Sequence, residues 1–322
     1  MVKKKTNKYW QARLAKEMEH RIQTDEAIAE EMKRMYILHR NNIEKEIESF
    51  LQRYGSGEQL SAAELRKKVS DMDVQAFAER AKQYVTEKNF SPQANGELKL
   101  YNLKMKISRL ELLQYYIDLE LVALTDGEHK LTEKYLNQAY IDELNLQSGI
   151  LGELMPSPET IRLSAEALVN MPYEGAVWSD RIWQRQNILR NVVSDIARNA
   201  VYQGKSARTA IPELRKTFGV GEYEARRLAV TEVARVQTEV SKLSYETNGY
   251  TQFDLIPEPT ACEKCKAVAD KGPYKVSEME AGKNAAPLHP FCMCAEAPHV
   301  DRAELEAMFE ELERMKALGL FE

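Results

Sequence analysis

Apolar residues recur with a helical period over most of this chain. Leu14, Met18 and Ile22 share a face that continues through Ile28, Met32, Tyr36, Ile43, Ile47 and Leu51, which predicts one helix from Trp10 to Tyr54. Charges of both signs fill the positions between, as on a solvated helix face. Gly55-Ser-Gly57 ends that helix, and Ser61-Ala-Ala-Glu64 offers a capping box with Leu60 as its staple. Val74, Phe77, Ala81, Tyr84 and Val85 mark the next helix, and Asn89 to Gly96 reads as a loop. A strong stripe follows at Leu103, Ile107, Leu110, Ile117, Leu121 and Leu124, widened by Leu113 and Tyr116, with Thr125-Asp-Gly127 as its stop.

A second helical region starts near Leu131 and continues past Pro156-Ser-Pro158. Trp178 and Trp183 open a helix carrying Ile188, Val192, Val193, Ile196 and Val201. After the Gly204-Lys-Ser206 turn, a short helix spans Ile211 to Phe218, with Pro212 tolerated in its first turn. Gly219-Val-Gly221 separates it from a helix Glu222 to Thr247, which buries Ala225, Leu228, Ala229, Val233, Val236, Val240 and Leu243; Asn248-Gly249 supplies its C-cap. Tyr250 to Ile256 then alternates with a period near two and reads as a strand. A last amphipathic helix, Asp301 to Leu318, lines up Leu305, Met308, Phe309, Leu312 and Met315.

The pattern predicts a mainly α protein: an elongated helical N-terminal region, a helical core, and a small C-terminal α+β module of zinc type. The expected divisions are a helical arm over 1–130, a core over 131–249, a strand plus Cys/His module over 250–300, and the amphipathic helix over 301–322. The 322 residues are enough for two domains, and charged residues at 30% with sparse Gly and Pro favour solvated helices over a sandwich or barrel. A net charge of −5 gives no global drive toward nucleic acid, so any DNA contact must use a local basic patch. The start, Met1 to Trp10, is basic but lacks the apolar segment of a secretory signal. No stretch approaches the roughly 20 apolar residues that span a bilayer, so no membrane partner is expected.

All four cysteines fall in the last fifth of the chain, as Cys262-x-x-Cys265 and His289-Pro-Phe-Cys292-Met-Cys294. These five residues are soft or borderline donors, and tetrahedral zinc needs four. The loop between the two groups is too polar to order itself by apolar burial, so a cation closing it would contribute folding free energy directly. Several thiolates around one ion make a closed structural site, because a catalytic zinc keeps a position for water. Cys262, Cys265 and Cys292 are the firmest ligands, Cys294 and His289 compete for the fourth place, and His299 stands outside as a further candidate. Two alternatives remain: a pair of disulfides formed in an oxidising medium, and reduced thiols in a loop clasped by hydrogen bonds, with His289 bracing the turn.

No catalytic set is evident. Thr231-Glu232 sits among arginines without a second carboxylate or histidine, and a structural ion pair of Glu232 with Arg227 or Arg235 is the simpler reading. Arg181, Arg185, Arg190, Arg198, Lys205, Arg208, Arg215, Lys216, Arg226, Arg227 and Arg235 offer a phosphate-binding face, although acids such as Asp180, Asp195, Glu213 and Glu224 are interleaved. Gly204-Lys205-Ser206 is not a phosphate loop, because Asn199 stands where the first glycine is required.

Taken together, Arg226-Arg-Leu-Ala-Val-Thr231-Glu232-Val-Ala-Arg235, Tyr245-x-x-x-Gly249, the strand, C-x-x-C and Pro287-Leu-His289-Pro290-Phe-Cys292-Met-Cys294 resemble the head-morphogenesis family named after the Mu F protein, the minor head proteins of tailed phages. The resemblance covers roughly Trp178 to Pro298. It extends to the Gly204-Lys-Ser206 turn, and Tyr9-Trp10 and the helix Leu103 to Leu124 resemble N-terminal arms of such proteins. The chain departs from the family at Met293, where arginine is frequent, and at Pro259-Thr-Ala261, where Asp-x-Arg-Thr is frequent. The resemblance implies a minor capsid protein of a phage or prophage, made in the host cytoplasm and carried in the procapsid interior and virion. It implies binding without turnover, with the portal protein and other capsid components as partners and non-specific contact with phage DNA as an open option. The rival readings are a metal-dependent enzyme, a nuclease or transferase, and a cellular zinc-bearing DNA-binding protein.

Overall fold

The computed structural model describes residues 10, 12–54, 62–99, 108–152, 156–202, 207–299 and 314. The predicted capping serine Ser61, the turn Gly204 to Ser206 and the C-terminal amphipathic helix lie outside these residues, apart from Arg314. The described helices are α1 (Ala15–Tyr54), α2 (Ala62–Leu65), α3 (Asp71–Glu87), α4 (Pro92–Lys99), α5 (Arg109–Leu151), α6 (Pro158–Val169), α7 (Trp178–Tyr202), α8 (Ala207–Thr247) and α9 (Glu263–Lys271). Strands β1 (Gln252–Ile256), β2 (Tyr274–Lys275) and β3 (Ala295–Pro298) form an antiparallel sheet ordered β2-β1-β3. The chain is therefore mainly α with a small C-terminal sheet, as the periodicity predicts, and no described helix is long and apolar enough to cross a membrane.

Two compact units divide the chain. One comprises the described residues of Met1–Asp25, Leu136–Val169 and Val230–Glu322; the other comprises those of Glu26–Tyr135 and Asn170–Ala229. The second unit has its apolar centre at Phe77, Phe90, Leu98, Leu112, Leu119, Val122 and Trp183. It also buries a polar network: the Tyr36 hydroxyl and Gln186 Nε2 donate to Glu128 Oε2 at 2.7 and 2.6 Å, and Arg185 also pairs with Glu128. Such a network holds its members in one arrangement, because each unsatisfied group would cost its full desolvation.

Three sequence expectations are corrected here. Asn89 to Gly96 is not all loop: α4 begins at Pro92, with the Ser91 hydroxyl accepting from the Ala94 amide at 3.2 Å as a cap. Gly127 does not end the helix, for α5 runs unbroken from Arg109 to Leu151; a β-carbon at Gly127 would stand 2.7 Å from Met35 Sδ, so the glycine makes room for a neighbour. Likewise α8 passes without a break through Pro212, Gly219 and Gly221. Gly221 lies where a β-carbon would come within 3.0 Å of the Tyr36 ring, and its carbonyl accepts from Arg185 at 3.0 Å. Close packing overrides the intrinsic penalty of about 1 kcal/mol for glycine in a helix.

The apolar stripes also shift in detail. Ile22 is 44% exposed and Arg21 takes the inward position on α1. Ile188 and Val192 on α7 and Leu243 on α8 face solvent, while Leu189, Ser244 and Tyr245 are buried. In the first unit β1 is covered on both sides from Phe253 to Ile256, which explains why strict alternation of polarity fails there. Phe253 packs with Tyr245, Val276, Met279 and Ala285; Leu255 packs with Cys265, Cys292 and Cys294; Ile256 packs with Trp10, Leu14 and Met18.

Candidate metal centre

Strand β1 leads into a short turn that places Cys262 as the N-cap of α9 and Cys265 in its first turn. The Cys262 carbonyl accepts from the Lys266 amide at 3.1 Å, so C-x-x-C spacing here means one helical turn with both sulfurs at its mouth. The Cys262 and Cys265 sulfurs are 3.6 Å apart. On the other side of the loop, the Cys292 amide donates to the His289 carbonyl at 3.2 Å, closing a tight turn. Phe291 occupies the left-handed region with φ 60°, a conformation that a bulky residue adopts only when its surroundings impose it. Lys264 donates to the Leu288 carbonyl, tying the first turn to the second.

His289 Nδ1 donates to the Pro290 carbonyl at 2.7 Å. Because a carbonyl only accepts, the proton is on Nδ1 and a neutral ring presents its lone pair at Nε2. That atom lies 3.3 Å from the Cys262 sulfur and 3.2 Å from the Cys265 sulfur. Cys292 Sγ is 3.8 Å from Cys265 Sγ. Cys265, Cys292 and Cys294 form a second triad, and the donor atoms of each triad lie within 4.8 Å of one another. The structure thus gathers the five predicted donors into two triads that share Cys265. Tetrahedral zinc with Zn–S about 2.3 Å and Zn–N about 2.0 Å has S···S edges of about 3.8 Å and S···N edges of about 3.5 Å, close to what is found. Burial and electrostatics agree with a cation: Cys265, Cys292 and Cys294 are buried among Leu255, Ala261, Ala269, Ala286 and Leu288, and only Cys262 is exposed. This Cys-rich cluster is able to hold a metal ion.

The thiols respond to one another. Donation from Cys294, ahead of the opposing effect of burial, draws the Cys292 thiol down to about 5. Burial first, and then the neighbouring Cys292 charge, pushes Cys265 up to about 12. Burial opposes a charged His289, yet the Pro290 carbonyl and the sulfurs of Cys292 and Cys262 outweigh it and raise its pKa. His299, the outside candidate, is engaged elsewhere, with Nδ1 2.6 Å from Asp254 Oδ2.

Polar residues that the sequence reading passed over anchor this module. Arg21 donates from Nη1 to the Cys294 carbonyl at 3.2 Å and from Nη2 to Glu143 at 2.7 Å. Glu143 also accepts from Gln147 and Ser241, each at 2.7 Å. Glu296 Oε1 accepts from the Ala286 amide at 2.7 Å and lies 3.2 Å from the Thr238 hydroxyl, which donates to the Ala286 carbonyl at 2.6 Å. Burial pushes Glu296 up to about 8 against the pull of the Ala286 amide and Arg21. The signal available in the sequence was Arg21, a cation three residues beyond Met18 on an apolar stripe.

The other candidates take structural places. Glu232 is buried and accepts from Arg235 Nε at 2.7 Å, while Arg235 donates to the Leu168 and Val169 carbonyls at 3.2 and 3.0 Å and so caps the end of α6. Many of the basic residues are already matched to acids: Arg185 to Glu128, Arg190 to Glu97, Arg198 to Asp195, Arg215 to Glu44 and Arg227 to Glu224. Arg208 has no described side chain, and Lys205 lies outside the described residues.

A mainly helical chain with a three-stranded sheet beside a Cys/His cluster is the class that the described residues define. A family model described as "Phage Mu protein F like protein" matches residues 191–297, about a third of the chain, from within α7 into β3. No curated protein and no solved structure matches the chain. The match points to phage head morphogenesis and is in keeping with a structural protein.

Proposed function

We propose that this chain is a minor head protein of a tailed phage or prophage, acting in head morphogenesis beside the portal protein by binding, without turnover. One observation carries the reading: the Mu F-like match contains α8, the sheet and all five cysteine and histidine donors. In this reading zinc, held by four of Cys262, Cys265, His289, Cys292 and Cys294, supplies structural cross-linking of the module. The chain's own part is to hold two tight turns in place through Arg21, Thr238 and Lys264, so that a polar loop keeps one shape for a capsid partner. Other capsid components are the remaining partners. Packaged DNA is a minor one, since so many arginines are internally paired.

The test is to tag the protein in a phage or induced prophage, purify procapsids and virions, and cross-link. Recovery in both particles with cross-links to the portal is expected. Particles that assemble with the protein absent, or cross-links confined to proteins outside the head, would overturn the proposal.

A further inference from the structure

The two donor triads meet at one residue. Cys265 belongs to both, and Cys262, the exposed one of the four cysteines, stands with its sulfur 3.6 Å away. We infer that Cys262 and Cys265 are an oxidisable dithiol: a peroxide attacks at Cys262, Cys265 closes a disulfide onto it, and the module gives up its cation. The release rests on the zinc reading above; the disulfide does not.

Access decides where oxidation begins. Cys265, Cys292 and Cys294 are buried among Leu255, Ala261, Ala269, Ala286 and Leu288, so solvent reaches the sulfur of Cys262. Proximity decides which thiol answers. Cys262 is the N-cap of α9 in extended backbone, and its side chain makes no cap hydrogen bond that would hold it back. Closing a disulfide, with sulfurs about 2.05 Å apart, takes a movement of roughly 1.5 Å within one helical turn. The other short sulfur pair, Cys265 and Cys292 at 3.8 Å, has both members buried away from a first attack.

The Cys262 sulfur attacks one oxygen of hydrogen peroxide. The S–O bond forms as the O–O bond breaks, two electrons pass from sulfur to oxygen, and the departing hydroxide takes a proton from solvent to become water, leaving a sulfenic acid. Cys265, as its thiolate, then attacks the Cys262 sulfur. The S–S bond forms, the S–O bond breaks, and hydroxide leaves to be protonated to a second water. Two thiolates, one peroxide and two protons thus become one disulfide and two waters.

Capture of Cys265 breaks both triads at once, whichever four donors hold the cation. His289 and the pair Cys292 and Cys294 then remain, divided between the two triads, where tetrahedral zinc needs four ligands. The second turn keeps only its backbone ties, Leu288 to Lys264, Ala286 to Thr238 and Cys294 to Arg21. In the head-protein reading this reaction belongs to the passage from a reducing host cytoplasm to an outside medium where disulfides persist.

The experiment uses the full chain, purified with reductant and zinc, freed of the reductant and given about one equivalent of hydrogen peroxide. Thiol counting, peptide mapping and a chromophoric zinc chelator follow the reaction. Two of the four thiols should be lost to a Cys262–Cys265 disulfide. About one zinc per chain should leave in step with it, and dithiothreitol with added zinc should restore both. Thiols that stay intact, a first disulfide at Cys265–Cys292 or Cys292–Cys294, or a sulfinic acid at Cys262 without pairing overturns the dithiol. A Cys262–Cys265 disulfide that forms while the zinc stays bound overturns the release. The same disulfide in protein that never took up zinc defeats the zinc reading, and the release with it, but leaves the dithiol standing. In Cys265→Ser the sulfenic acid at Cys262 has no partner and should be trapped by dimedone several-fold more than in the parent; equal trapping refutes the pairing. If that variant fails to fold, peptide mapping of the parent still decides.

Discussion

Replacing Arg21 by methionine should unfasten the Cys/His module by a predictable amount and with a predictable dependence on pH. Arg21 is 6% exposed and bonds to Glu143, Glu17 and the Cys294 carbonyl at 2.7, 3.2 and 3.2 Å. Methionine keeps the apolar stem and removes the charge, leaving Glu143 buried with only the Gln147 and Ser241 donors. Breaking one side of a buried ion pair typically costs about 3–5 kcal/mol. A ceiling exists, because the stranded carboxylate can protonate; for a group of pKa about 4.3 that costs about 3.7 kcal/mol at pH 7. Burial already holds the Glu143 pKa above its ordinary value, opposed chiefly by Arg21, so removing Arg21 raises it further. A group whose folded pKa is raised keeps its stability contribution below the unfolded pKa and loses it as pH rises. The variant's deficit is therefore at most about 3–4 kcal/mol at pH 7 and shrinks on acidification toward pH 5. Because the chain has two units, a single global free energy is poorly defined, and amide exchange at β1 and β3 is the suitable measurement. The double variant Arg21→Met/Glu143→Met should recover most of the loss. A deficit under about 1 kcal/mol, or one that does not change between pH 5 and 8, would refute the reasoning.

Glu232→Ala should strand the buried Arg235 guanidinium and cost about 3–5 kcal/mol, seen as loss of amide protection in α6 and α8, with any enzymatic signal unaffected. Gly221→Ala should destabilise in spite of a helix-propensity gain of about 1 kcal/mol, because the neighbouring Tyr36 ring is fixed by its hydroxyl bond to Glu128; Gly127→Ala meets only the flexible end of Met35 and should be neutral or stabilising in thermal melts. Fresh reduced protein should carry about one zinc per chain. Its removal by a chelator, or Cys262→Ser, should raise thiol labelling at Cys292 and Cys294 and exchange at β1, while amides around Phe77 and Phe90 keep their protection.

Much of this fold was legible because 3.6-residue periodicity survives wherever a helix buries one face, as at Ile28, Met32, Tyr36, Ile43 and Ile47. The donors were legible because cysteine is otherwise absent and its spacing matches one helical turn and one tight turn. What stayed hidden has a shared cause. Gly127, Gly219 and Gly221 read as punctuation in one dimension, but α5 and α8 run through them; Gly221 makes room for the fixed Tyr36 ring and Gly127 lies beside the flexible end of Met35, neighbours far away in sequence, while Gly219 has open space where a β-carbon would stand. Arg21 read as solvated because its partners, Glu143 and the Cys294 carbonyl, lie 122 and 273 residues downstream. For the same reason Ile22 was placed inward in error.

The anchoring residues also bear on how the module keeps a single shape. A metal alone would pin two turns to each other and leave the pair free to reorient on the sheet. Here the second turn is held by backbone carbonyls: Leu288 by Lys264, Ala286 by Thr238 and Cys294 by Arg21, from α9, α8 and α1 in turn. Trp10, Leu14 and Met18 pack on Ile256, Ala295 and Ala297, so the beginning of the described chain covers the sheet that carries its last described strand. Removal of the residues before Ala15 should therefore loosen β1 and β3, although no donor to the cluster is lost. If truncated protein retains both its zinc and the exchange protection of β3, the N-terminal segment is dispensable and the cluster with α8 suffices.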